Sequence, residues 1–366
     1  MRNVMIAGAG FIGRAHAEAA RLLDGGARLM VADPGDAARS SFAAQFPEAE
    51  TFSDVREMLK RPAEPGDIVV VATPPRSHAE IAELAFASGR HVLSDKPLGF
   101  DLDDGSRMLD AARRAGRHLG DSSNRFLGYA STERARDIVG SGALGEIYHA
   151  TVCHRRGRMR SGIEYQPESR WFLDRARSGG GVLMDWGVYD LTTFFHVLQP
   201  RRVEVLQAWM RRPPTSADPG DVVFDVETHV GASLRLETTA GATVIVDYER
   251  ASASYGSERM IMEVEGLAGA VRWDWIPWLK DGKADVAVRA ERDGALSETV
   301  ESFDLNGTLH FHHRPLVYFA DALSGGTAPA VLDERALFGF AVVRTIYDVV
   351  ADGRPRSVDI DELRRH

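Results

Sequence analysis

Two kinds of hydrophobic spacing divide the chain. Through the first 120 residues short apolar runs alternate with helical patterns. Val4-Met5-Ile6-Ala7 predicts a strand, and a helix follows over about 13–23. Leu29-Met30-Val31-Ala32 predicts a second strand, with a helix over 37–46. The unbroken run Asp67-Ile68-Val69-Val70-Val71-Ala72 suits a strand buried on both faces. A helix over 77–88, a strand at 91–93 and a helix over 101–115 complete the series. Repeated strand–helix units imply a parallel sheet with right-handed crossovers.

Beyond about residue 125 the period changes. Strands are expected at 146–153, 203–210, 228–237, 242–248, 260–264, 270–275 and 284–289, with little helix between them. That pattern predicts a large, mostly antiparallel sheet. One helix, 182–197, interrupts it and another, 335–350, closes the chain. Pro213 to Gly220 reads as a surface loop. The fold class is therefore α/β: an N-terminal Rossmann domain over 1–122, then a C-terminal α+β domain over 123–366 with an open sheet. A length of 366 residues accommodates two such domains.

Composition narrows the partners. A formal charge of -9 argues against nucleic acid, which needs a basic face to displace counterions. Arginines cluster locally at Arg155, Arg156, Arg158 and Arg160, but the global balance suits a small neutral or modestly charged ligand. Cys153 is the single cysteine, so an intrachain disulfide and a thiolate metal cluster are both excluded. Apolar runs are too short to span a bilayer, and Met1-Arg2-Asn3 leads directly into a strand. A cytoplasmic protein without a leader or membrane partner is expected.

Gly8-Ala9-Gly10-Phe11-Ile12-Gly13 is G-x-G-x-x-G placed after an apolar strand and at the start of a helix, the context a dinucleotide site requires. Gly8 permits the tight turn, Gly10 lets the backbone approach a pyrophosphate, and Gly13 allows close helix–strand packing. Phe11 and Ile12 lie in the same turn, where the helix N-terminus offers amide donors to phosphate. Asp33 ends the second strand twenty residues after Gly13. Its carboxylate can accept both ribose hydroxyls and would repel a 2′-phosphate, which favours NAD over NADP. Arg39 lies nearby and leaves NADP open.

Two further segments, Val71-Ala72-Thr73-Pro74-Pro75-Arg76-Ser77-His78 with His91-Val92-Leu93-Ser94-Asp95-Lys96-Pro97-Leu98, and Gly179-Gly180-Gly181-Val182-Leu183-Met184-Asp185-Trp186-Gly187-Val188-Tyr189-Asp190, join this fingerprint. With Asn124-Arg125-Phe126 and 141–147 they give the chain motifs along its whole length that resemble the glucose–fructose oxidoreductase, inositol dehydrogenase and MocA family. The resemblance implies that Thr73, Pro74, Pro75 and His78 line the cofactor, and Asp95, Lys96 and Asn124 are expected to bind it as well. It also implies that Lys96 matches the catalytic lysine of a Glu-Lys-Pro motif, with Asp95 in place of the glutamate and a peptide bond before Pro97 that is often cis in relatives. Lys96 follows a parallel strand's carboxyl end, where a cation could stabilise developing alkoxide charge.

Asp185 and Tyr189 stand four apart on an expected helix and so share a face. Many relatives carry histidine at the second position; the tyrosine resembles the glucose–fructose oxidoreductase branch. A phenol donates a proton unaided in the reductive direction, and needs a nearby cation to act as base near neutrality. His154 and Arg156 resemble substrate-contacting positions of inositol dehydrogenases, and Trp171 could face a sugar ring. His310-Phe311-His312-His313 has no accompanying carboxylate spacing for a metal, and the family as a rule uses none.

The expected activity is hydride transfer between NAD(P) and a sugar, anhydrosugar or inositol-type carbon. Lys96, Asp185 and Tyr189 would be catalytic, and Lys96, His154, Arg156, Trp171, Asp185 and Tyr189 would bind substrate. The family implies a homodimer or homotetramer. Two other readings share the fold: a glycoside hydrolase with retained NAD, and a ligand-sensing regulator without catalytic groups.

Overall fold

The computed structural model describes residues 2–157, 169–216, 218–276 and 280–364. Arg158 and Arg160 of the arginine cluster lie outside them. The chain forms two compact units, one of residues 2–125 with 309–340, the other of 126–308 with 341–364. The sequence places a boundary after 122. The structure instead divides the chain after Arg125 and returns 309–340 to the first unit.

The chain begins with β1 (Arg2–Ala7), α1 (Phe11–Ala20), β2 (Ala27–Ala32), α2 (Asp36–Gln45), β3 (Glu50–Phe52), α3 (Val55–Leu59) and β4 (Ile68–Val71). Then come α4 (His78–Ala87), β5 (His91–Ser94), α5 (Leu102–Ala115) and β6 (Leu119–Asp121). The six strands are parallel, in the order β3-β2-β1-β4-β5-β6. Strand order reverses between β1 and β4, where ligands of doubly wound sheets bind beyond the carboxyl ends.

Local chemistry sets the helix ends. The Asp101 carboxylate accepts from the Asp104 N–H at 2.9 Å to start α5. Gly116 stops it in the left-handed region at φ 60°. β4 is buried at all four positions, as its aliphatic run requires. Val4, Ile6, Ile68 and Val70 pack with Phe42 and Phe46 into the core of this unit. Each such side chain contributes about 1.5–3 kcal/mol by leaving water.

The second unit opens with α6 (Ala130–Gly140), β7 (Ile147–Gly157), α7 (Arg175–Ser178) and α8 (Val188–Leu198). Strands β8 (Pro200–Arg211), β9 (His229–Thr238), β10 (Thr243–Ser254), β11 (Arg259–Gly266), β12 (Gly269–Trp273), β13 (Lys283–Arg292) and β14 (Ala295–Asp304) follow. Then α9 (Arg314–Leu323), α10 (Asp333–Asp352), β15 (Arg356–Asp359) and α11 (Ile360–Leu363) end the chain. The nine-stranded sheet runs β14-β13-β12-β11-β7-β10-β9-β8-β15. Its pairs are antiparallel except β10 with β7, which are parallel. Helices α6 and α8 pack together.

α9 belongs to the first unit. Its Leu316 and Phe319 join that core, and a Cβ at Gly120 would lie 2.7 Å from the Phe319 ring. α6 and α9 are not among the helices expected from the sequence. One helix is expected over 182–197. The structure has instead a π-helical turn, Leu183–Gly187, leading into α8.

Candidate active site

In the first unit the three glycines do three different things. Gly8 has φ +106°, and a Cβ there would meet the Ala72 carbonyl oxygen at 2.5 Å. A Cβ at Gly13 would stand 2.0 Å from the Gly8 oxygen, so α1 can approach β1 only with glycine. Nothing described lies within 4 Å of a Cβ at Gly10. Open space at the second glycine, directly before α1, is the cradle a pyrophosphate needs. α1 has no acidic residue in its first turn and no side-chain cap. Its first N–H groups, from Phe11 through Gly13, can therefore serve an anion.

Asp33 holds this turn in place. One carboxylate oxygen accepts from the Ala9 N–H at 2.9 Å and the other from Gly35 N–H at 2.8 Å. An ionised carboxylate has about four acceptor sites, so capacity remains for ribose hydroxyls. Arg39, the residue that could welcome a 2′-phosphate, donates to the Asp33 carbonyl at 2.6 Å and pairs with the Asp36 carboxylate. The residues therefore fit NAD better than its phosphorylated form.

The loop after β4 leaves Thr73 half-buried, exposes Pro74 and buries Pro75. The Ser77 hydroxyl donates to Thr73 Oγ1 at 2.8 Å. His78 is fully buried. Its Nε2 lies 2.7 Å from the Thr73 oxygen, and its Nδ1 lies 3.1 Å from the Pro97 oxygen and 3.2 Å from Ser94 Oγ. His78 thus ties the loop after β4 to the loop after β5; its ring braces both.

Lys96 opens that second loop, half-buried, with a cis bond to Pro97. Asp95 sets its backbone: one carboxylate oxygen accepts from the Lys96 N–H at 2.7 Å and from Arg125 Nη2 at 2.7 Å. The shorter acid thus reaches both the Lys96 backbone and the Arg125 guanidinium. Burial alone would raise the Asp95 carboxyl, but Arg125, His16, Lys96 and the Lys96 N–H outweigh it and hold it below the ordinary value. Asp121, also buried, goes the other way, to about 6, despite two bonds from Ser123. Asn124 is buried, its amide donating to the Pro329 carbonyl at 3.3 Å. Arg125 has no assigned role in the sequence reading, although its place beside Asn124 in the motif was the available signal.

The histidine run lies in the same unit. His312 meets the exposed Phe11 ring edge-on at 5.5 Å, and His313 Nε2 lies 3.2 Å from the Glu18 carboxylate. Among the described residues no group of three His, Cys, Asp or Glu is arranged to hold a metal ion.

In the second unit Asp185 sits half-buried within the π turn, its N–H donating to the Gly181 oxygen at 2.9 Å. Tyr189 is buried, its ring edge-on to Phe126 at 5.2 Å and to Trp186 at 5.5 Å. His154 belongs to the same ring cluster, 6.4 Å from Trp186 and 6.2 Å from Trp275, and is only 5% exposed. His154 is thus part of an aromatic cluster, inside β7 and not beyond the end of the strand expected over 146–153. Arg156, half-exposed, lies two residues further along β7 on the same face as His154. Trp171 stacks on Phe172 at 4.0 Å.

Beneath Trp186, Arg250 places its guanidinium 4.8 Å from the ring centre and 3.4 Å from Asp190. Tyr248 donates to Asp190 at 3.2 Å. Burial raises Asp190 to about 6, against Arg250 and that hydroxyl. This network leaves no mark in the sequence, since nothing in spacing distinguishes a buried acid from an exposed one.

Residues 2–121 match the oxidoreductase family with an NAD-binding Rossmann fold, and 132–272 match the GFO/IDH/MocA C-terminal domain. The chain is 32% identical over 169 residues to a 1,5-anhydro-D-fructose reductase of Ensifer adhaerens, across 46% of this chain and 47% of that protein. It is 31% identical over 227 residues to the D-glucoside 3-dehydrogenase of Escherichia coli (strain K12), across 58% and 62%. Each match spans less than two thirds of the relative's length. Among solved structures, a levoglucosan dehydrogenase in complex with NADH superposes with a TM-score of 0.74 at 18% identity, covering 98% of this chain and 99% of that one. No helix among the described residues is long and apolar enough to cross a membrane. With glycine cradle, strand order and both family matches in agreement, the chain belongs to the GFO/IDH/MocA oxidoreductase family.

Proposed function

We propose that this protein transfers hydride between NAD and a carbon bearing a hydroxyl or carbonyl on a sugar, anhydrosugar or inositol-type substrate. The observation that carries the reading is Lys96 fixed through its own N–H by the Asp95–Arg125 pair, beyond β5 and in the same unit as the glycine cradle. When bound, NAD supplies or accepts the hydride. The residues do the rest. Gly8, Gly10, Phe11, Ile12, Gly13, Asp33, Thr73, Pro74, Pro75 and Asn124 hold the dinucleotide, and His78 and Asp95 brace its loops. The Lys96 ammonium donates a hydrogen bond to the reacting oxygen and stabilises charge that develops there. Tyr189 exchanges the proton with that oxygen through its phenol, and Asp185 orients neighbouring hydroxyls or the phenol itself. His154, Arg156 and Trp171 contact the rest of the substrate.

The relatives named for anhydrofructose, glucoside and levoglucosan chemistry support a carbohydrate substrate. We extend the reading to a cytoplasmic location and to a homodimer or homotetramer, and sedimentation equilibrium tests the oligomeric state.

The test is absorbance of the reduced nicotinamide across aldoses, anhydrosugars and inositols, with NAD and NADP in parallel. Saturable turnover with NAD is the expected result. Lys96→Met should lower kcat/KM by at least about a hundredfold with NAD affinity retained. Intact turnover in that variant would remove Lys96 from the mechanism. Glycoside cleavage without net absorbance change would replace the dehydrogenase reading with hydrolysis.

A further inference from the structure

Three successive N–H groups, those of Gly181, Val182 and Leu183, end on a single residue of another segment. Gly181 N–H donates to both Glu227 carboxylate oxygens, at 2.9 and 3.0 Å, and Leu183 N–H to one of them at 3.2 Å. Val182 N–H donates to the Glu227 backbone carbonyl at 3.0 Å. The Tyr347 hydroxyl donates to the same carboxylate at 2.6 Å. Glu227 is 3% exposed.

The glycine run is shaped around this contact. A Cβ at Gly181 would lie 2.0 Å from the Glu227 carbonyl oxygen, and one at Gly180 would lie 2.1 Å from the Tyr347 hydroxyl. Glycine is thus needed for close approach, at positions where no left-handed φ demands it. A buried carboxylate is an expensive way to start a helix, since an Asp or Ser at the N-cap does so from the surface. What this one gains is attachment. It fixes the start of the segment to the approach of β9, at the favourable positive end of the helix dipole. The segment then passes at once through the π turn, which carries Asp185, and into α8, which carries Tyr189. π turns are rare and recur at functional sites.

We infer that Glu227 is a positioning residue that sets the placement of Asp185 and Tyr189 by holding the N–H groups of Gly181 and Leu183, with Tyr347 as its own anchor. The inference rests on the roles proposed above for Asp185 and Tyr189. Glu227→Gln keeps the side-chain length but turns an amide NH2 toward groups that donate. It should lower kcat by about ten- to a hundredfold, the scale of a small misplacement of reacting groups, while the KM for NAD stays unchanged. Added to Tyr189→Phe it should cause little further loss, because both act on one step. Tyr347→Phe leaves the carboxylate in place with one donor fewer and should shift kcat in the same direction by less. If Glu227→Gln retains wild-type kcat, or if its loss multiplies fully with that of Tyr189→Phe, the inference is overturned.

Amide exchange decides the structural half without any substrate. In Glu227→Gln, peptides covering 182–190 should exchange about tenfold faster, while those of β1 and α1 do not change. Unchanged exchange in 182–190 would overturn the inference. A wild-type protein silent on every carbohydrate would instead overturn the functional reading, and the exchange result would still decide whether Glu227 sets this turn.

Discussion

His16, three residues after Gly13, is 1% exposed, and neither ring nitrogen has a hydrogen-bond partner among the described residues. Burial pushes its pKa down from 6.5 to about 4, opposed by Asp95 and assisted by Arg125 and His313. The imidazole is therefore neutral in the native state over a range where an unfolded chain protonates it. Below pH 6.5 the unfolded state takes up a proton that the native state refuses, so the contribution of His16 to stability falls from pH 6.5 to about 4 and then levels. A shift of this size corresponds to roughly 3 kcal/mol lost across that window. His16→Leu removes the titrating group at similar volume. Unfolding free energies from urea titrations at pH 7.5 and 4 should differ between variant and wild type by about that amount more at pH 4, in favour of the variant. The same difference at both pH values would mean that His16 finds a proton-accepting partner in the native state.

On the cofactor site proposed above, the glycine turn between β1 and α1 separates a folding requirement from a binding requirement within six residues. Gly13→Ala drives a methyl into the Gly8 carbonyl and should cost about 1–3 kcal/mol, seen as a lower melting temperature. Gly10 has φ -74° and ψ -168°, which alanine tolerates, and open space around its Cβ. Gly10→Ala should melt within about 1 kcal/mol of the wild type yet bind NAD about tenfold more weakly, because the methyl occupies the pyrophosphate's approach. Equal melting losses in the two variants would deny this division. This turn was legible in the sequence because strand, glycines and acid carry fixed spacing, as were the buried β4 and the long strands of the second unit. Elements with no such signature were not. β3 is three residues long and largely exposed, and β14 reads Ala-Leu-Ser-Glu-Thr-Val-Glu-Ser-Phe-Asp without a consistent apolar face. Its one signal was Asp293-Gly294, both at positive φ between β13 and β14, a hairpin turn that its residues favour. The π turn at 183–187 has no period of its own to read, and the burial of Glu227 and Arg250 depends on strands distant in sequence.

At the scale of the whole chain, the backbone passes between the two units three times, after residues 125, 308 and 340. The last passage runs inside α10, a continuous helix from Asp333 to Asp352. A helix whose first turns belong to one cooperative body and whose later turns belong to the other resists melting in halves, because its propagation is cooperative. Calorimetry should therefore show one transition. NAD at a hundred times its Kd adds about 2.7 kcal/mol to whatever unfolds with the glycine turn. The single peak should move as a whole to higher temperature. NADP at the same concentration should move it much less: Arg39 is already engaged by the Asp33 carbonyl and the Asp36 carboxylate, and the chain is acidic overall at -9. Two peaks, with only one displaced by NAD, would show that the shared helix fails to couple the units. An equal shift with NADP would show instead that Arg39 releases its carboxylate to take the 2′-phosphate.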